Sequence, residues 1–302
     1  MIYEHILILG TGRLALDCAV HIKYMGVPCV LCDMNTIPSG MLCRQSAHFG
    51  IPCRQTSPEE IYREIKSLTG NTLLISAINP RIIPADLLAR PGLTAINCHQ
   101  SLLPRHPGRN AEMWAIFEED KETGITWHYM TPEVDGGSIL VQKSFLITEE
   151  TTSFHVFHRQ IQLAFEGFQE IIVSLLNGQA KAMPQLLSPL RKLHYSWEMP
   201  SNGVLNLSWN GRKISAFLRA LDYAGLQVVK PPRIFIRGEY FSWKKYKIQK
   251  TGSSGNDLFF TDSAICILRD GYEITLNEYK KEDYRNGTIT GNSERAASGG
   301  GF

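Results

Sequence analysis

Up to about residue 185 the chain alternates short apolar runs with amphipathic stretches: HILILG, LALDCAVHIKYMG, PCVLCD, PEEIYREIKSL, TLLISAI, ADLLARPG and LTAINCH follow one another with few interruptions. Apolar runs of strand length, separated by segments of helical period, are the pattern of βαβ units. Such units fold into a mostly parallel sheet with helices on both faces. A longer helix is predicted at SFHVFHRQIQLAFEGFQEIIVSLLNG, where apolar residues keep helical spacing and Gly178 is the stop.

After the polar stretch SPLRKLHYSWEMPSNG the pattern changes. GVLNLSW reads as a strand and GRKISAFLRALDYA as a short helix. Strand-like runs then follow at RIFIRGEYFSWKKYKI, DLFFTD, AICILRD and YEITLNEY. Short strands around one helix predict a small β-barrel-like, OB-like domain. The expected organisation is α/β, with a catalytic-size domain over 1–188, a linker over 189–203, a small β-rich domain over 204–284, and a polar tail or linker over 285–302. Residues 191–302 carry more Lys and Arg than Asp and Glu, a modest basic lean within a net charge of +2.

With 43% hydrophobic and 20% charged residues in 302, the chain has the balance of a globular protein able to bury a core. No apolar run reaches membrane-spanning length, and the start has no basic leader, so a cytoplasmic location is expected. Seven cysteines without a regular framework read as reduced thiols. Cys29 and Cys32 form a CxxC inside an apolar run and are assigned to core packing. His155 and His158 are assigned to one face of a helix. No metal site is expected.

Two patterns carry chemistry. In ILILGTGRLA an apolar strand runs into Gly10-x-Gly12-x-x-Ala15, and a second apolar run ends in Asp33. These are elements of a dinucleotide-binding turn, so an NAD(P)-dependent oxidoreductase is one reading. A glycine turn also serves as plain scaffold in such a sheet, and no hydride-transfer constellation accompanies it. The richer pattern lies in AINCHQSLLPRHPGRNAEMWAIF and GITWHYMTPEVDGGSIL. On a strand Asn97 and His99 project to the same side, and Asp135 stands just before Gly136 and Gly137, where the backbone can turn sharply.

Asn97-x-His99-x-Ser101-Leu102-Leu103-Pro104, followed by Asp135-x-Gly137, resembles the signature of formyltransferases that use 10-formyltetrahydrofolate. The resemblance runs from the first strand to Gly178 and continues more weakly beyond. It implies a Rossmann-like catalytic sheet, a 10-formyltetrahydrofolate donor and no metal. It also implies a catalytic set of Asn97, His99 and Asp135. Asn97 and a protonated His99 would face the developing oxyanion, and Asp135 would favour the charged imidazole and relay protons. The pteridine slot would be formed by Arg81, Ile82, Ile83 and Pro84, by Thr131 to Val134, and by Leu103 and Pro104, with recognition through main-chain groups. His128 could face the same cleft. Arg105, His106 and Arg109, in the loop before a helix capped by Asn110, would suit an anionic group on the acceptor.

The acceptor is less constrained. Methionyl-tRNA formyltransferases pair this catalytic domain with a small barrel, and Lys244, Lys245, Lys247 and Lys250 would suit a phosphate backbone. However, DMNTIPSGMLCRQSAHFG stands where those enzymes carry a basic loop, which makes tRNA the weaker expectation. The remaining acceptors are small amines: an amino sugar, an amino acid, or an aminoacyl group on a carrier protein. GRNAEMWAIFEEDKETGITWH and FLRALDYAGL are similar to formyltransferase domains of natural-product and nonribosomal-peptide assembly, and the SERAASGGGF tail is expected to be a linker from a longer protein, so a fused or partner assembly-line protein is part of that expectation. A folate-binding module with a silent site is the third function class.

Overall fold

The computed structural model describes residues 2–34, 40–55, 57–186, 191–252 and 255–282. The expected tail at 285–302 and positions 35–39 of the loop after the second strand lie outside the described residues. The described residues divide into two units, one within residues 2–200 together with 219–228 and one within 201–218 together with 229–282.

In the first unit the elements follow one another as β1 (His5–Gly10), α1 (Arg13–Tyr24), β2 (Val30–Asp33), α2 (Met41–His48), β3 (Cys53–Gln55), α3 (Pro58–Ser67), β4 (Thr72–Ala77), α4 (Ala85–Leu88) and β5 (Leu93–His99). After these come α5 (Ala111–Phe117), β6 (Glu122–Tyr129), β7 (Ile139–Leu146) and α6 (Ser153–Leu176). The seven strands form one sheet in the order β3-β2-β1-β4-β5-β6-β7. The first five are parallel, and β6 and β7 add antiparallel pairs. The expected mixed α/β architecture with a mostly parallel sheet is therefore what the chain adopts.

Two buried clusters cover the two faces of the sheet. On one face Ile8, Ile75, Ile96, Cys98 and Trp127 pack with α1 and α6. On the other Leu7, Leu9, Leu74 and Ala95 pack with Ile61, Ile65, Ile83 and Leu87. The alternation along β5 puts Ile96 and Cys98 under α6 and leaves Asn97 and His99 to the opposite face. α6 starts at a Thr152 capping box and is followed by Gly178 at φ 68°. It sits close to the sheet, with the Trp127 indole donating to the Ala164 carbonyl at 2.8 Å.

Residues 191–200, expected as linker, pack within the first unit: Arg109 N–H donates to the His194 carbonyl at 2.9 Å, and His194 N–H to that of Pro107 at 2.9 Å. Cys29 and Cys32 fall in the two different clusters. Burial raises their thiols to about 11 and about 12, which agrees with core packing. One expectation for the cysteines is corrected. Cys43 and Cys53 form a disulfide with their Cα atoms 5.1 Å apart, because α2 and β3 bring together positions ten residues apart, a proximity that linear spacing does not reveal.

The second unit contains all but the first residue of a short 3-10 turn (Pro200–Gly203), β8 (Val204–Leu205), all but the last two residues of α7 (Gly211–Ala220), β9 (Arg233–Ile236), β10 (Glu239–Ser242), β11 (Lys245–Lys250), β12 (Asp257–Phe260), β13 (Ala264–Arg269), β14 (Tyr272–Asn277) and β15 (Lys280–Lys281). The described pairings make two four-stranded sheets, β15-β10-β9-β8 and β11-β14-β13-β12, almost entirely antiparallel. Ile214, Phe217, Ile234, Ile265, Ile267, Ile274 and Leu276 are buried. No helix among the described residues is long and apolar enough to cross a membrane.

Candidate active site

β4, β5 and β6 deliver a row of polar side chains to one face of the sheet. Ser76 is in register with Asn97, and Asn97 is in register with His128. Cross-strand partners point to the same side, and each side chain hydrogen-bonds the next. The Ser76 hydroxyl donates to Asn97 Oδ1 at 2.7 Å. Asn97 Nδ2 lies 3.2 Å from His128 Nε2, and His128 Nδ1 lies 2.8 Å from the Tyr129 carbonyl. A carbonyl oxygen only accepts, so Nδ1 carries hydrogen, and the Asn97 amide can donate to Nε2 when that nitrogen holds no proton. Every polarity along this chain agrees, and one Asn97 N–H is left for another acceptor.

Asp135 meets this row from the loop between β6 and β7. Its carboxylate stands 3.4 Å from His99 Nδ1 and 3.5 Å from His128 Nε2, with its side chain 10% exposed. The Gly108 N–H donates to Asp135 Oδ2 at 2.8 Å. The loop holds Asp135 at φ 51°, a left-handed conformation that a residue with a Cβ adopts at some cost. It closes tightly because residue 137 is glycine: a Cβ there would lie 1.8 Å from the Tyr129 carbonyl oxygen. Two side chains from the segment after α6 clamp the loop. Gln185 Nε2 donates to the Asp135 and Gly137 carbonyls at 2.8 and 2.7 Å, and Arg191 holds Glu133 Oε1 at 2.9 Å together with the Val134 carbonyl.

The protonation states follow from these contacts. Burial works to raise Asp135, but His99, His128 and the Gly108 N–H outweigh it and hold the carboxyl well below its ordinary range. His99 is buried, and that burial lowers its pKa despite the pull of Asp135 and of the His106 carbonyl. His99 Nε2 donates to that carbonyl at 2.8 Å, so Nδ1 is the nitrogen turned to Asp135. With Nε2 committed to the His106 carbonyl, His99 Nδ1 and the Asp135 carboxylate face each other across 3.4 Å as a coupled pair that can hold and release a proton. This revises the sequence expectation of a charged His99 pointing at an oxyanion, since both ring nitrogens are already directed elsewhere.

The other expected site residues are distributed as follows. Ile83 is buried in the cluster against which Met130 packs, so the 81–84 segment lies beside the start of the Asp135 loop. Arg81 and Ile82 are exposed, and Pro84 caps α4. The Ile82 carbonyl accepts from the Tyr62 hydroxyl at 3.1 Å, and Val134 is held by Arg191, so these two main-chain oxygens already have partners. Leu103 is buried, donates its N–H to Thr126 Oγ1 and precedes a cis peptide to Pro104. Thr131 turns its hydroxyl to the Glu133 carbonyl. Arg105 pairs with Asp120, and Arg109 is exposed at the start of α5, where Asn110 is the N-cap.

Sequence reasoning did not single out Ser76, Gln185 or Arg191, whose partners are distant in the chain. A cavity of about 420 Å³ opens at the start of β5, lined by Tyr3, Leu93, Ala95, Tyr129 and Met130. It lies at the other end of the strand from His99 and contains none of the four polar residues. The opening glycine motif has a structural explanation. A Cβ on Gly10 would stand 2.6 Å from the Ala15 Cβ and 2.9 Å from the Ala77 carbonyl oxygen, so glycine lets α1 and β4 approach.

Comparison with known proteins points to formyltransferases. Residues 31–172 match the family described as formyl transferase. A GDP-perosamine N-formyltransferase of Brucella melitensis is 33% identical over 151 residues, 50% of this chain and 57% of that protein. A methionyl-tRNA formyltransferase of Synechococcus is 29% identical over 163 residues, 51% of this chain and 50% of that one. The matches thus span about half the length of these relatives. Among solved structures, the N-formyltransferase from Helicobacter canadensis, in complex with folinic acid and dTDP-3-aminofucose, superposes with a TM-score of 0.74 at 18% identity, covering 93% of this chain and all of that one. A sugar 3N-formyl transferase with dTDP and 5-N-formyl-tetrahydrofolate gives a TM-score of 0.71 at 18% identity over 91% of this chain and 97% of that one. Through residues 31–172 the chain is similar to the formyl transferase family, and over most of its length it shares the fold of the solved N-formyltransferases.

Proposed function

We propose that this protein transfers a formyl group from 10-formyltetrahydrofolate to the amine of a nucleotide-linked amino sugar. The observation that carries the transfer is the Asp135 carboxylate set between His99 and His128 and beside the Asn97 amide. The acceptor rests on the sugar N-formyltransferases among its relatives and structural neighbours.

The donor supplies an activated formyl carbon, and the transfer needs no metal. Attack by the amine forms a new C–N bond and leaves negative charge on the formyl oxygen. The second Asn97 N–H, fixed by Ser76 and His128, is the donor for that oxygen. The attacking nitrogen must lose a proton, and Asp135 with His99 Nδ1 takes it into the 3.4 Å gap between them. The same proton goes to the folate nitrogen as the old C–N bond breaks, so no net proton is gained or lost. The His106 carbonyl keeps His99 in the tautomer that this requires.

The test is direct. The protein is incubated with 10-formyltetrahydrofolate and, separately, a nucleotide-linked amino sugar, a carrier-bound aminoacyl group or methionyl-tRNA, and products are read by mass spectrometry. A formylated sugar with matching release of tetrahydrofolate is expected. Formylation of the carrier-bound or tRNA amine instead would replace the acceptor and keep the chemistry. Thermal stabilisation by NADH or NADPH without any response to folate would reject the reading and return the glycine turn to a dinucleotide role.

A further inference from the structure

Behind the loop that holds His99 lies a polar cluster whose side chains take no part in the proposed transfer, although the His106 carbonyl does. His106 and His194 are 6% and 2% exposed. His106 Nε2 lies 2.9 Å from Asp120 Oδ2, while the other Asp120 oxygen pairs with Arg105. Nε2 carries the hydrogen for that bond, which in the neutral ring leaves His106 Nδ1 as a lone pair. It stands 3.4 Å from His194 Nε2 and 4.0 Å from Glu118 Oε2. The other His194 nitrogen, Nδ1, is buried without a hydrogen-bond partner, 3.9 Å from Glu198 Oε2.

Two protonation schemes can account for the cluster, and one of them leaves a conflict. If His194 Nε2–H donates to His106, the bare His194 Nδ1 faces the Glu198 carboxylate, lone pair toward negative charge. A cation between the two rings resolves it. Both facing nitrogens then offer lone pairs, and both outer nitrogens carry hydrogens: that of His106 is donated to Asp120 at 2.9 Å, and that of His194 lies on the side of Glu198, 3.9 Å away and outside hydrogen-bond distance. For His106 that is the outer-shell pattern of a metal-bound histidine.

We propose that His106 Nδ1, His194 Nε2 and Glu118 Oε2 form a binding site for a divalent cation of the zinc class. The spacing agrees with this metal. Two ligand nitrogens each about 2.05 Å from a tetrahedral zinc stand about 3.3 Å apart, and here they are 3.4 Å apart. The three ligand atoms lie within 4.8 Å of one another. The Glu118 side chain is 44% exposed and can swing inward as the third ligand, leaving the fourth position to water. Two imidazoles and one carboxylate select a borderline transition cation over magnesium or calcium, which take oxygen ligands. The cation touches no reacting atom. It joins the 106–109 loop to the 191–198 segment, which already exchange two backbone hydrogen bonds.

The full-length protein, stripped with a chelator, is titrated with Co2+ and then with Zn2+. The expected result is a visible d–d band of tetrahedral intensity saturating at one Co2+ per chain, without a thiolate charge-transfer band, and displaced by Zn2+ with a rise in Tm. His194→Gln is expected to weaken binding by about 100-fold or more, and Glu118→Gln by about 10-fold; Glu122→Gln, on the exposed surface, should bind like the parent. If His194→Gln does not fold, the exposed Glu118→Gln carries the comparison. Absence of a stoichiometric band in the parent protein overturns the site and leaves a hydrogen bond between two imidazoles. A band unchanged in both Glu118→Gln and His194→Gln overturns it as well.

Discussion

At the residue scale, the proposed chemistry rests on a few hydrogen bonds whose direction is fixed. Asn97 owes its orientation to Ser76 and His128. Its replacement by Ala should lower kcat by about 10²–10³, the usual loss for one oxyanion donor, while folate binding measured by thermal shift stays near normal. Ser76→Ala should leave the Asn97 amide free to turn and lower kcat by a smaller factor. The same burial that keeps the imidazoles neutral makes the fold acid-sensitive. His99 and His194 have native pKa values below the ordinary histidine value, His194 at about 3. As pH falls below about 6.5 the unfolded chain binds protons that the native state refuses, so stability drops through that window down to about pH 3. Asp135, also held low, adds to the loss at still lower pH. Melting curves of the cation-free protein from pH 7.5 to 4 should therefore show a fall in Tm that is shallower in His194→Gln. A Tm independent of pH across this range would contradict the assignment.

At the scale of elements, two close approaches shape the site. Gly137 allows the β6–β7 loop to fold back onto Tyr129, so Gly137→Ala, with its Cβ 1.8 Å from a carbonyl oxygen, should displace Asp135. We expect a destabilisation of about 1–3 kcal/mol, read by denaturant unfolding, and a kcat that falls further than this destabilisation accounts for. Gln185 holds the same loop from outside. Gln185→Ala removes two hydrogen bonds, each contributing about 1 kcal/mol, and should reduce kcat by about 10-fold to 100-fold through misplacement of the carboxylate, with KM for the acceptor little changed. What the sequence made legible here follows the periodicities. The strand alternation put Asn97 and His99 on one side, and the Gly136-Gly137 pair marked the turn after Asp135. Gln185, Arg191 and His194 were not legible as partners of the site, because they act from a segment without regular structure that looked like a linker. The Cys43–Cys53 disulfide was missed for a similar reason, since only the packing of α2 beside β3 brings the pair together.

At the scale of the whole molecule, the βαβ alternation was enough to identify the parallel part of the sheet, and the antiparallel β6 and β7 complete it by bringing His128 and Asp135 to the end of β5. The glycine motif at β1 illustrates the limit of reading a motif alone. Its first glycine is required by the contact with Ala15 and Ala77, whatever the sheet binds. NADH and NADPH should accordingly leave Tm unchanged while 5-formyltetrahydrofolate raises it, and the reverse pattern would remove the functional assignment. The most direct measurement of the central claim is single-turnover formyl transfer by Asp135→Asn beside the parent protein, with folate occupancy checked by thermal shift. The account predicts a rate lower by about 10²–10⁴ with donor binding retained. A rate within a few-fold of the parent would contradict it, because the carboxylate between His99 and His128 would then have no part in moving the proton.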